Sequence, residues 1–272
     1  MSERWLIGLD VDGTILLADE TLSPGVRSAV ARVRDAGHEV TIATGRSWGA
    51  TAHILEMLDI TPEYVVCSNG AVTMRRLDDG SYVRDHVETF DPTAALELLS
   101  ERLPDARYMV ELGDGKRLYT HEMGDWSLDE GRQVAFEELN ALPVSRVVVI
   151  SPGHDEDDFH RLVADAGLNE VSYAIGWTAW LDIAPHGVDK GTAMERVRTT
   201  LGFEGERVLV AGDGRNDIGM FEWVSALGGR GVSMGQAPDE VTAAATEHTA
   251  DVHEGGLAHV LDALADATTG VP

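Results

Sequence analysis

The chain has 272 residues, 43% of them hydrophobic, and a formal net charge of −26 at pH 7. That size and composition suit one or two folded domains, while so negative a balance argues against nucleic acid or an anionic membrane surface as partner. No apolar run approaches the roughly 20 residues of a membrane span, aspartates interrupt the only apolar run near the start, and a single cysteine, Cys67, leaves no disulfide or zinc cluster to build, so a cytoplasmic protein is expected.

In chain order, WLIGL (5–9) reads as a buried strand and LSPGVRSAVARVRDAG (22–37) as a helix. Ser23 is its expected N-cap, Pro24 lies in its first turn and Gly37 is its stop. EVTIAT (39–44) is a second strand, SWGATAHILEML (47–58) a helix and YVVCSN (64–69) a third strand. This β-α-β-α-β order predicts a parallel sheet with helices on its faces. Alternating residues around Asp79-Gly80 predict a hairpin. From 85 to 184 the rhythm becomes mixed: helix 92–103, strands 106–112 and 117–121 about a turn, strand 145–151, helix 157–167, then strands near 171–176 and 179–184. Helix 189–202, strand 207–214 and helix 216–224 restore the first rhythm. The expected organisation is an α/β core from residues 1–84 and 185–272, its parallel sheet Rossmann-like with helices on both faces, and an inserted α+β domain over 85–184.

Ligands of open parallel sheets gather at the carboxyl ends of the strands. Four polar stretches fall there or at a helix start: DVDGT (Asp10–Thr14), TGR (Thr44–Arg46), DKG (Asp189–Gly191) and GDGRND (Gly212–Asp217). Asp10 and Asp12, two apart on an extended chain, share a face. Such close carboxylates repel and resist desolvation. A cluster of Asp10 with Asp213, joined by Asn216 and Asp217, offers hard oxygens suited to Mg2+. The cation would also attract a phosphate to a chain whose overall field repels one. Thr44, Lys190 and backbone N–H groups near helix starts would hold the phosphate oxygens, and Gly45 allows close approach of the backbone. Lysine occurs only at 116 and 190. At a helix start, a cation such as Lys190 is electrostatically disfavoured without a special partner. With the phosphorus so held, Asp10 can attack in line. Asp12 can protonate the leaving oxygen and then deprotonate water.

DVDGT, TGR, SNGA, DKG and GDGRND, in this order, resemble the haloacid dehalogenase superfamily of phosphatases, and the insertion after SNGA resembles the type-IIB cap of its Cof-type branch. The resemblance implies that Asp10 is the nucleophile and Asp12 the general acid/base. It implies that Thr44 and Lys190 bind phosphate, and that Asp213, Asp10 and the carbonyl of Asp12 bind Mg2+. Asn216 and Asp217 would support the metal and Lys190, while Arg46 and Asn69 would lie at the rim or one shell out. SMGQAPDEV (233–241) is similar to a family segment that usually reads M-G-N-A; Gln236 replaces the asparagine and receives no role. The implied enzyme is a Mg2+-dependent phosphomonoester hydrolase for a small phosphorylated metabolite, a sugar phosphate by class, with a cap that selects it. A phosphomutase and a non-catalytic sugar-phosphate sensor are the alternatives. No heptad seam marks an oligomer interface.

Overall fold

The computed structural model describes residues 4–123, 131–151, 171–175 and 180–269. Two compact units divide the chain, one from Met1–Asp85 with Asp189–Pro272 and the other from His86–Val188.

The first unit begins with β1 (Leu6–Leu9), apolar and wholly buried, as a strand covered on both faces must be. Helix α1 (Val26–Asp35) turns Val26, Ala29, Val30 and Val33 inward at helical spacing. It starts later than Ser23 predicts, with Gly25 in the N-cap position at φ 76°. The carbonyl of Ser23, not its hydroxyl, accepts the Val26 N–H at 3.2 Å, so Pro24 and Gly25 form a turn ahead of the helix. The hydroxyl instead donates to the carbonyl of Val252 at 2.7 Å. Gly37 ends the helix as expected: at φ 94° it donates to the Arg34 carbonyl. β2 (Glu39–Ile42), α2 (Trp48–Leu58) and β3 (Tyr64–Cys67) follow, then β4 (Val72–Arg76) and β5 (Tyr82–Val87) about the left-handed Gly80.

The second unit contains α3 (Thr93–Arg102), β6 (Arg107–Leu112), β7 (Arg117–Tyr119), β8 (Arg132–Gln133), β9 (Val144–Ile150), β10 (Val171–Ile175) and β11 (Trp180–Pro185). Its six-stranded sheet runs β10-β11-β9-β6-β7-β8 and is antiparallel apart from the β7–β8 pair. Ala95, Leu96 and Leu99 of α3 form a core with Tyr108, Val110, Val147, Val149, Leu181 and Ile183. Along each strand these sheet residues are two apart, and so share one face. The helix expected over 157–167 lies outside the described residues.

The first unit resumes with α4 (Lys190–Leu201), β12 (Val208–Gly212), α5 (Ile218–Ala226), β13 (Arg230–Ser233), α6 (Asp239–Ala244), β14 (Glu247–His248) and α7 (Gly256–Thr269). Its parallel sheet has the order β14-β13-β12-β1-β2, and a parallel bridge from Ala43 to Val66 carries it on to β3. Leu6, Val208 and Val210 pack against Met194, Phe221 and Val224 of α4 and α5. Ile7 and Leu9, alternating with Leu6, point to the opposite face, and α1 packs with α7. Helices on both faces explain why the central strands read as unbroken apolar runs. Since β1 lies between β2 and β12, a crevice opens at the carboxyl ends of these strands. No helix among the described residues is long and apolar enough to cross a membrane.

Candidate active site

Asp10 leaves β1 at that crevice, its N–H donating to the Ala211 carbonyl of β12 at 2.9 Å. Lys190 is fully buried, and its Nζ donates to Asp10 Oδ1 at 2.5 Å and to Asp217 Oδ1 at 2.7 Å. These two carboxylates offset the unfavourable helix dipole at the start of α4. The helix is anchored there by Asp189, which accepts the Thr192 N–H at 2.7 Å while the Thr192 hydroxyl accepts the Asp189 N–H. The other oxygen of Asp217 accepts the N–H groups of Asp213 and Gly214, at 3.0 and 2.9 Å. Asp217 therefore folds the GDGRND turn and seats the lysine at once. Gly13, at φ 74°, lets the DVDGT loop lie where a Cβ would overlap the Asp213 carboxylate.

Asp10, Asp213 and Asp217 each bring a carboxylate oxygen within 4.8 Å of the others, and all three are buried. Burial, and then the charge of Asp217, pushes the Asp10 carboxyl well above its ordinary 3.8, against the pull of Lys190. Burial and Asp217 push Asp213 up to about 7. Burial alone would lower Lys190, but Asp10 and Asp217 reverse this and leave it above its ordinary value. Three carboxylates thus share one ammonium, and the surplus is negative charge on hard oxygens. That donor set fits a small divalent cation such as Mg2+. Asp217 has both oxygens engaged, whereas Asp10 and Asp213 keep lone pairs to offer.

Asp12 follows a different course. Its side chain, 60% exposed, is gripped by Arg46, whose Nη2 donates at 2.6 Å and whose Nε lies 3.0 and 3.2 Å from the two oxygens. Arg46 Nη2 also reaches Glu20 Oε1 at 3.1 Å. Arg46 is therefore a direct partner of Asp12, the second of the two places, rim or one shell out, expected for it from the sequence. Thr44 is buried at the end of β2, where its hydroxyl accepts the Arg46 N–H at 3.0 Å. Gly45 lies against the side-chain amide of Asn69. Asn69 sits in the left-handed region at φ 50° and accepts from Asn216 Nδ2 at 3.0 Å. Gln236, to which the sequence assigns no role, donates from Nε2 to Asp213 Oδ2 at 3.2 Å and to the Gly13 carbonyl at 2.6 Å. It follows β13, a parallel strand beside β12, so the strand-end rule that picks out the other residues would have found it. Glu20 carries no comparable signal in the sequence.

The family described as haloacid dehalogenase-like hydrolase matches residues 7–261. The 5-amino-6-(5-phospho-D-ribitylamino)uracil phosphatase YitU of Bacillus subtilis is 27% identical over 270 residues, covering 96% of this chain and 97% of the relative. The pyridoxal phosphate phosphatase YbhA of Escherichia coli is 28% identical over 257 residues, covering 88% and 91%. A solved sugar phosphatase of haloacid dehalogenase subclass IIB has the same fold, with a TM-score of 0.76, 18% identity, and coverage of 96% of this chain and 99% of that one.

Proposed function

The chain belongs to the haloacid dehalogenase-like hydrolase family, and from that premise we propose that it is a Mg2+-dependent phosphomonoester hydrolase, acting in the cytoplasm on a small phosphorylated metabolite, a sugar phosphate by class. The observation that carries this reading is the buried Asp10–Lys190–Asp217 triad with Asp213 beside it. It joins a nucleophilic carboxylate to a cation for phosphate at one strand end. The two relatives are named for small phosphorylated molecules and the structural neighbour for sugars, which supports the substrate class.

In this mechanism Asp10, Asp213 and the carbonyl of Asp12 would hold Mg2+, which when bound supplies positive charge that screens the phosphoryl oxygens from the carboxylates. Lys190, the Thr44 hydroxyl and the Gly45 N–H hold those oxygens. An Asp10 oxygen attacks phosphorus in line, the ester P–O bond breaks, and Asp12 gives its proton to the leaving oxygen. Asp12, now a carboxylate, takes a proton from water as the water attacks the aspartyl-phosphate. The bond from phosphorus to the Asp10 oxygen then breaks, releasing inorganic phosphate and restoring both groups. Residues 86–188 form the unit to which we assign selection of the leaving group.

The test is phosphate release from a panel of phosphorylated sugars, nucleotides and small acids, with Mg2+ or EDTA, using the wild type and Asp10→Asn. The expected outcome is metal-dependent release that Asp10→Asn abolishes. If nothing turns over while a sugar phosphate still raises the melting temperature, the chain is a sensor and the catalytic assignment fails.

A further inference from the structure

Gln236 stands on a loop held from both sides. Met234 N–H donates to the Gly212 carbonyl at 3.0 Å, and Gly235 N–H to the Ala250 carbonyl at 3.1 Å. Gly235 has no Cβ to keep it from the backbone of Ala250 and Asp251, which a side chain would meet at under 3 Å. The amide of Gln236 then has one orientation that satisfies it. Its Oε1 accepts the Val252 N–H at 3.0 Å, and its Nε2 faces two acceptors, the Gly13 carbonyl and Asp213 Oδ2. Flipped, it would set an oxygen against a carbonyl and a carboxylate. Val252 is fixed in turn by the Ser23 hydroxyl on its carbonyl. A chain of hydrogen bonds thus runs from Ser23 through Val252 and Gln236 to Asp213 and the DVDGT loop.

We infer that Gln236 is the positioning residue of the cation site: it takes up one oxygen of Asp213, so that the other is presented to the metal, and it fixes the spacing between the Asp213 and Asp10 loops. This rests on the phosphatase reading above. Groups that orient a metal ligand from one shell out change affinity by about 10–100-fold when removed. Methionine at 236 keeps the length and loses every hydrogen bond. Asparagine keeps the amide but, one methylene shorter, does not span Val252 to Asp213.

The experiment is calorimetric titration of metal-free protein with MgCl2 for wild type, Gln236→Met and Gln236→Asn, with melting curves in EDTA to establish folding. The expected result is a Kd for Mg2+ raised at least tenfold in Gln236→Met and severalfold in Gln236→Asn. Half-maximal phosphate release should shift to higher Mg2+ by the same factor, while kcat at saturating Mg2+ stays within about threefold. A purely structural role would lower kcat at every Mg2+ concentration. If folded Gln236→Met binds Mg2+ within twofold of wild type, the inference is overturned and the phosphatase reading stands. If the wild type binds no Mg2+, it is the metal assignment that falls.

Discussion

Replacing Asp213 with asparagine removes one of three clustered carboxylates while keeping its shape, and the metal-free protein should become more stable at alkaline pH. The Asp213 carboxyl is pushed up to about 7 from its ordinary 3.8. Between those values the folded chain keeps a proton that the unfolded chain has released. The stability this gives is complete below about pH 4 and drains away as pH rises through 7. A gap of about three pH units, at about 1.4 kcal/mol each, amounts to roughly 4 kcal/mol. Asparagine carries no charge to desolvate, so the variant escapes that loss, and its side-chain carbonyl can still accept from Gln236. At roughly 2–4 °C per kcal/mol for a chain of this size, Asp213→Asn should melt about 8–16 °C above wild type at pH 8 in EDTA, and by less than half as much at pH 5. The assay is thermal unfolding by circular dichroism at both pH values, with EDTA or Mg2+. Mg2+ should raise the wild type most at pH 8 and leave the variant nearly unchanged. If Asp213→Asn melts at or below wild type at pH 8 in EDTA, the electrostatic reasoning is wrong.

Lys190→Met leaves Asp10 and Asp217 buried without their cation, a loss of roughly 3–5 kcal/mol. The deficit should shrink as pH falls, because the raised Asp10 carboxyl takes up a proton and sheds its charge; a deficit independent of pH in melting curves would contradict the triad's role. Arg46→Met sets Asp12 adrift, and since general acid–base catalysis contributes about 10²–10⁴-fold, release from an alkyl phosphate should fall roughly tenfold or more, with Arg46→Lys recovering part. Hydrolysis of p-nitrophenyl phosphate, whose leaving group needs little protonation, should suffer less; equal losses on both substrates would exclude positioning of Asp12.

Where the chain must bury a strand on both faces, the sequence is explicit: Leu6–Leu9 and Val208–Gly212 are apolar throughout, and each delivers an aspartate at its carboxyl end. Lys190 was legible by rarity, being one of two lysines and set where a helix dipole opposes it. What the sequence hid is long-range geometry. Ser23 has the side chain of an N-cap, but its partner is Val252, 229 residues away, and only the folded chain brings them together. Arg46 follows the TGR turn with nothing local to say that its guanidinium returns to Asp12, 34 residues earlier. Gln236 departs from the usual asparagine, so matching the motif discards it, although its extra methylene lets it touch three loops.

The central place of β1 also governs when the site can exist during synthesis. Once β2 has paired with it, the other edge of β1 stays open until β12 is made. Lys190 follows Asp10 by 180 residues, a delay of roughly 9–36 s at about 5–20 residues per second. Through that interval the nascent chain carries a bare apolar strand edge, the kind that recruits other chains, and a buried aspartate, Asp10, without its lysine. The open edge of β1 and the unfinished carboxylate–lysine cluster thus belong to the same interval, and both are completed by the segment from Lys190 to Asp217.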